Sequence, residues 1–147
     1  VHANSASAVP TRLIDMGVEP FLVASSLRGV ISQRLVRKLC DRCYEPSQVS
    51  DALKKAFPWV GEPPSTLYKA HEEGCANCHR TGYVGRTTIA EVLIIDDEIA
   101  SLITANAPSH EIEAVAIEHG MKTILQDGLT RAAEGITSIE ELSRVVG

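Results

Sequence analysis

The sequence predicts an α/β fold that is mainly helical and carries an inserted four-cysteine subdomain. Three observations lead there. Apolar residues recur at helical spacing through the chain after Asp96. Thr87 to Ile95 is rich in β-branched residues and reads as a strand. Two tight pairs, Cys40-x2-Cys43 and Cys75-x2-Cys78, bracket a stretch holding four of the seven prolines, Pro46, Pro58, Pro63 and Pro64.

Each element follows from local signals. Residues 1–31 read as helical. A first helix is expected to start near Pro10 and to stop at Gly17. Glu19-Pro20 opens a second, with Val23, Leu27, Val30 and Ile31 on one face. Residues 33–43 are ambiguous, because Leu35, Arg37 and Leu39 alternate while Leu35, Val36 and Leu39 suit a helix; the reading taken is a short strand. Between the cysteine pairs, Val49 to Phe57 is expected to form a short helix capped by Ser50, and Thr66-Leu67-Tyr68 a brief strand. Thr81 to Arg86 is a glycine-punctuated turn before the strand Thr87–Ile95.

Four helical segments close the chain. Asp96 caps the first, which turns Ile99, Leu102 and Ile103 inward. Pro108 sits in the first turn of the next, which buries Ile112, Val115 and Ala116 and stops at Gly120. A third places Leu125, Leu129, Ala132 and Ala133 on one side and ends at Gly135. Thr137-Ser138-Ile139-Glu140 is a capping box for the last, with Leu142 and Val146 inward.

The chain has 147 residues, 44% hydrophobic and 22% charged, which is enough for a packed core and too apolar for global disorder. Its 14 basic and 19 acidic residues give a formal net charge of −5. That balance disfavours general binding to nucleic acid or to an anionic membrane surface. The local basic run Arg28, Arg34, Arg37, Lys38 and Arg42 reads first as a solvated face or an inter-subunit contact. No run of about 18 apolar residues encodes a membrane-spanning helix. Val1-His2-Ala3-Asn4-Ser5 lacks the basic and apolar regions of a signal peptide, and the chain reads as a piece of something longer.

The cysteines carry the strongest chemical signal. Two intervening residues let both sulfurs of a pair face one point, and two such turns supply four thiolates in a tetrahedron, the preference of structural zinc. Cys40, Cys43, Cys75 and Cys78 are therefore the expected ligands of one zinc ion. Four thiolates leave no open position for a water, so a catalytic zinc is not expected. Two disulfides, an iron site or free thiols are the alternatives; iron of this type usually sits among aromatics, which make up only 4% of this chain. His71 and His79 lie near the second pair as possible substitutes. Glu91 is expected to pair with Arg34 or Arg37 at the surface. Trp59 and Phe57 are either a docking patch or the core of the inserted module.

Several segments together then resemble one family, the type II secretion and type IV pilus assembly ATPases, which are hexameric RecA-like traffic motors. His2-Ala3-Asn4-Ser5-Ala6 resembles the latter part of that family's histidine box, and Thr11 to Phe21 the segment after it. Gln33-Arg34-Leu35-Val36-Arg37 leads into the first cysteine pair as in the family. Gly74-Cys75-x2-Cys78-x2-Thr81-Gly82-Tyr83-x-Gly85-Arg86-x2-Ile89-x-Glu91 is similar to its second cysteine segment. Gly120-Met121, Gln126-Asp127-Gly128-Leu129 and Gly135-x-Thr137-Ser138-x-Glu140-Glu141 resemble its C-terminal helices.

The resemblance implies the C-terminal part of a RecA-like ATPase domain over residues 1–39, a zinc-binding cysteine module over 40–80, and a C-terminal strand and helical bundle over 81–147. It implies a parent that hydrolyses ATP with magnesium to drive secretion or pilus assembly. That parent would be cytoplasmic, hexameric, and peripheral at the bacterial inner membrane through platform proteins, with no nucleic-acid partner and no insertion into the membrane. His2 would face the nucleotide in that parent, with Asn4 helping to place it. Arg86 would either touch a neighbouring subunit or stabilise its own turn. The phosphate-cradling loop GxxxxGK[ST] does not occur in the chain, so the fragment alone is expected neither to bind ATP tightly nor to hydrolyse it. The alternatives are a stand-alone zinc-binding protein-interaction module and a zinc-ribbon nucleic-acid binder, the latter disfavoured by the acidic balance.

Overall fold

In the computed structural model, which describes Val1 and residues 3–146, the chain is a mixed helix and small-sheet protein. Its elements are α1 (Ala8–Asp15), α2 (Pro20–Ser26), β1 (Gly29–Leu39), β2 (Glu45–Gln48), α3 (Asp51–Ala56), β3 (Thr66–Lys69), β4 (Tyr83–Ile94), α4 (Asp97–Thr104), α5 (Ser109–Glu118), α6 (Ile124–Ala133) and α7 (Ile139–Val146). Among the described residues β1 pairs with β4, and β2 pairs with β3. The chain forms two compact units: Val1–Ser32 with Ala90–Thr123, and Gln33–Ile89 with Ile124–Gly147.

The first unit is a helical cluster. Ala6, Val23, Leu93, Ile99, Ile103, Ile112 and Ala116 are buried together, with Leu102 and Val115 packed against them. α1 starts at Ala8, two residues before the expected proline, and Pro10 is buried in its first turn. There a missing N–H removes no helical bond. α2 ends at Ser26, so Val30 and Ile31 belong to β1 and not to a helix face. Gly29 followed by two β-branched residues favours extension over a further helical turn. Asp96 caps α4 as expected, its Oδ1 accepting the Ile99 N–H at 2.9 Å.

Two further contacts in this unit involve charged groups. Glu91 is buried, 3% exposed, and its Oε1 accepts the Ala6 N–H at 2.7 Å. The expected surface position for this residue is therefore corrected: a carboxylate on β4 anchors the backbone just before α1. His119, at the C-terminal cap of α5, stands between two carboxylates of the α4 start. Its Nδ1 faces Asp96 Oδ2, and its Nε2 lies 2.8 Å from Glu98 Oε2.

The second unit has its own core, made of Val36, Val49, Leu67, Ile89, Ile124, Leu129, Ala132 and Leu142. β2 and β3 are antiparallel, with Glu45 opposite Lys69 and Gln48 opposite Thr66. β2 contains Pro46, which a two-stranded ribbon tolerates at an edge. α3 is capped as expected, Ser50 Oγ accepting the Leu53 N–H at 3.2 Å. Phe57 and Trp59 pack against the core, edge to face at 6.2 Å, and Trp59 Nε1 donates to the Leu53 carbonyl at 3.3 Å. Of the two readings for this pair, the core reading is the one the contacts support.

Two expectations for α6 and α7 are corrected. Ala133 is exposed, while Ile124 and Gly128 are buried instead. The absence of a side chain at Gly128 leaves room for this packing, since a Cβ there would lie 2.5 Å from Leu142 Cδ2 and would force that side chain to shift. The cap of α7 is Ser138, whose Oγ accepts the Glu141 N–H at 3.1 Å. Thr137 instead donates to the Arg37 carbonyl at 2.8 Å, tying the start of α7 to β1.

Candidate metal centre

The two cysteine pairs sit on turns at the ends of strands. β1 delivers Cys40, whose N–H donates to the Gly82 carbonyl at 2.9 Å, while the Tyr44 N–H returns to the Cys40 carbonyl at 3.0 Å. The second turn is closed by the Arg80 N–H to the Cys75 carbonyl at 2.9 Å and by Thr81 Oγ1 to the Cys78 carbonyl at 2.7 Å. Its backbone is unusual, with His79 and Arg80 at φ of 52° and 65°. Gly74 makes this possible. A Cβ at Gly74 would stand 2.4 Å from the Arg80 carbonyl carbon, closer than any side chain can come.

These turns bring all four sulfurs within 4.8 Å of one another. Cys40 and Cys75 are 3.7 Å apart, Cys43 and Cys78 3.8 Å, and Cys75 and Cys78 3.8 Å. A tetrahedral zinc–thiolate centre with bonds of about 2.3 Å has sulfur–sulfur edges of about 3.8 Å. The four side chains thus fit a zinc ion, and none of them forms a disulfide.

The electrostatics of the cluster call for a cation. The Asn77 amide draws the Cys40 thiol below its ordinary value, against the opposing effect of burial. Burial also works to raise Cys78, but the Cys75 and Gly82 N–H groups, at 3.2 and 3.1 Å from its sulfur, hold it down at about 6. Cys43 goes the other way. Burial, the neighbouring sulfurs and the charge on Cys40 push it up to about 12. One sulfur is prepared to ionise while its neighbour resists, and a bound dication removes that conflict.

The structure places the other expected site residues apart from this cluster. His71 accepts the Glu73 N–H at Nδ1, and its Nε2 lies 3.4 Å from Glu45. His79 is exposed. Neither joins the four sulfurs among the described residues. Arg86 is exposed on β4. His2 lies outside the described residues. Two features were missed from sequence. Asn77 sits between the cysteines of the second pair and donates Nδ2 to Cys40 Sγ at 3.4 Å. Its signal was present, an amide inside a metal-type turn. The Arg37–Glu141–Arg144 cluster had no such signal, because Arg37 and Glu141 are far apart in the chain.

Comparison with known proteins gives this geometry its setting. The family model described as type II/IV secretion system protein matches residues 1–144. The type II secretion system ATPase E of Vibrio cholerae is 44% identical over 99% of this chain, which covers 28% of that protein. The type II secretion system protein E of Pseudomonas aeruginosa is 43% identical over 99% of the chain and 28% of that protein. The type IV pilus assembly ATPase PilB of Thermus thermophilus is 43% identical over 97% of the chain and 16% of that protein. The chain therefore spans little more than a quarter of the length of these relatives, or less. With a match running from Val1 to Arg144 and relatives aligned along nearly its whole length, the chain belongs to the type II/IV secretion system protein family.

Proposed function

We propose that this chain is the C-terminal part of a motor ATPase that powers type II secretion or type IV pilus assembly, and that its contribution is a zinc-folded structural module. The observation that carries the reading is the cluster of four sulfurs within 4.8 Å of one another, three of its edges at 3.7–3.8 Å, set in a chain related to proteins named as secretion and pilus ATPases. Cys40, Cys43, Cys75 and Cys78 would hold the ion, which supplies a closed cross-link between two turns and no catalysis. Residues 40–80 are the part we expect to depend on it.

The rest of the activity belongs to the longer parent. ATP and magnesium would bind there, at the phosphate loop that this sequence lacks, in a RecA-like domain of which residues 1–39 and 81–147 supply the later part. His2 would face the nucleotide in that setting. The parent would work as a cytoplasmic hexamer, held at the inner membrane by platform proteins. Among the described residues no helix is long and apolar enough to cross a membrane, which suits attachment through partners.

The test compares the chain with its parent, using elemental analysis for zinc and a phosphate-release assay. The expected result is one zinc per chain in both and ATP hydrolysis in the parent alone. Metal-free protein purified under reducing conditions would overturn the zinc module. ATP hydrolysis by the fragment, or a parent that does not hydrolyse ATP, would overturn the motor assignment.

A further inference from the structure

We propose that Asn77 tunes the metal centre: its side-chain amide positions and quiets the Cys40 sulfur, and so sets how tightly the ion is held. This rests on the zinc reading above. Both deeply buried sulfurs receive backbone hydrogen bonds, Cys40 from Arg42 among them, but only Cys40 also receives one from a non-cysteine side chain. Cys78 Sγ accepts backbone N–H groups from Cys75 and Gly82, which the fold supplies whatever the side chains are. Cys40, 0% exposed, accepts the amide of Asn77 across the two pairs, at 3.4 Å. That bond exists only because residue 77 carries a side-chain donor.

The surroundings of Asn77 sharpen its role. It lines a cavity of about 290 Å³ together with Lys38, Leu39, Asp41, Val84 and Ile136. Asn77 is thus solvent-accessible while its Nδ2 reaches the Cys40 sulfur. An N–H donated to a metal-bound thiolate withdraws electron density from sulfur and fixes its lone pairs.

Two near-isosteric replacements separate this role from a packing role. Asn77→Leu removes the donor and keeps the bulk. Asn77→Asp keeps the shape and places a negative charge on the thiolate. Asn77 is exposed, so a residue that mattered only for packing or solubility would tolerate Asp at least as well as Leu. The experiment uses the whole chain loaded with zinc, competed against a chromogenic chelator, and loaded with cobalt for its sulfur-to-metal charge-transfer band.

The expected order of affinity is Asn, then Leu, then Asp. The loss should reach about 10- to 100-fold, as for other groups that hydrogen-bond a metal ligand. Faster transfer of zinc to the chelator and a shift of the cobalt band to lower energy should accompany it. Equal affinity and an unchanged band in both variants would overturn the inference and leave the zinc site standing. Failure of the unmodified chain to bind either metal would overturn the zinc reading itself.

Discussion

The carboxylate of Glu141 holds Arg37 at three points: its backbone N–H at 2.7 Å, its Nη2 at 3.0 Å and its Nε at 3.1 Å. The Glu141 side chain is fully buried, and Arg144 closes the other side at 2.8 and 2.9 Å. Arg37 in turn lies over the Tyr83 ring at 4.2 Å, and Tyr83 shares a hydrogen bond with Ser138. The start of α7 is thereby fastened to β1 three residues before Cys40. Arg37 and Arg144 are 42% and 58% exposed and would be solvated once the carboxylate charge is gone, so losing it costs the charged hydrogen bonds, about 1.5–3 kcal/mol, rather than a stranded buried charge. Glu141→Gln should therefore lower unfolding stability by that order, measured by urea titration at neutral pH.

The same carboxylate makes an acid prediction. Hydrogen bonds from Arg144, opposed by burial and reinforced by Arg37, lower the Glu141 carboxyl from 4.5 to about 2. A depressed carboxyl contributes stability that is full above its unfolded value and is lost as pH falls through the folded one. The loss should therefore fall between pH 4.5 and about 2. Glu141→Gln should flatten that limb of the stability curve, and an unchanged acid limb would contradict the assignment.

At the α4–α5 junction the sign reverses. Hydrogen bonds to Asp96, with the charges of Asp96 and Glu98 behind them, raise His119 above 6.5. Both ring nitrogens face carboxylates, so only the protonated ring donates to both. Its contribution is full below 6.5 and is lost as pH rises through the folded value. Asp96, lowered chiefly by the Ile99 N–H, contributes above its unfolded value and fails only in stronger acid. An NMR titration should find the His119 midpoint above that of a free histidine. His119→Gln should erase the alkaline decline.

Gly74 and Gly82 should reject even a methyl group. At Gly74 the φ is 63° and a Cβ would meet Arg80 at 2.4 and 2.5 Å; at Gly82 the φ is 81° and a Cβ would meet the Ala70 Cβ at 2.7 Å. Gly74→Ala should lower the zinc content of purified protein with every cysteine still in place. Gly17→Ala serves as the control, because its φ is also positive but nothing lies within 4 Å.

Metal removal should act on one part of the chain. A structural zinc contributes about 10–16 kcal/mol of apparent binding free energy at neutral pH. Cys75→Ser, or a strong chelator, should expose residues 40–80 to protease while α4 and α5 stay protected. Uniform cleavage throughout, or none, would contradict a metal-dependent module.

Much of this was legible where a signal was local. The Ser50 and Asp96 caps, the strand at Thr66, the helix at Pro108 and the four cysteines each announce themselves within a few residues. Misreadings came where a distant contact decided the outcome. Glu91 looks like a surface charge until the Ala6 N–H arrives to be satisfied. Val30 and Ile31 continue a helical stripe, yet they are drawn into β1 by pairing with β4. Thr137 and Ser138 are both competent caps, and the Arg37 carbonyl takes one and leaves the other. β2 was hidden by Pro46, which argues against a strand everywhere except at an edge.

The way the two units share the chain also sets an order of events on the ribosome. The first unit is built from Val1–Ser32 and Ala90–Thr123, so its last residue is made before Ile124. The second needs Ile124, Leu129, Ala132 and Leu142 for its core, and these emerge last. All four cysteines are synthesised well before them. Once Thr123 has left the exit tunnel the first unit can close, while the second still lacks these four core residues.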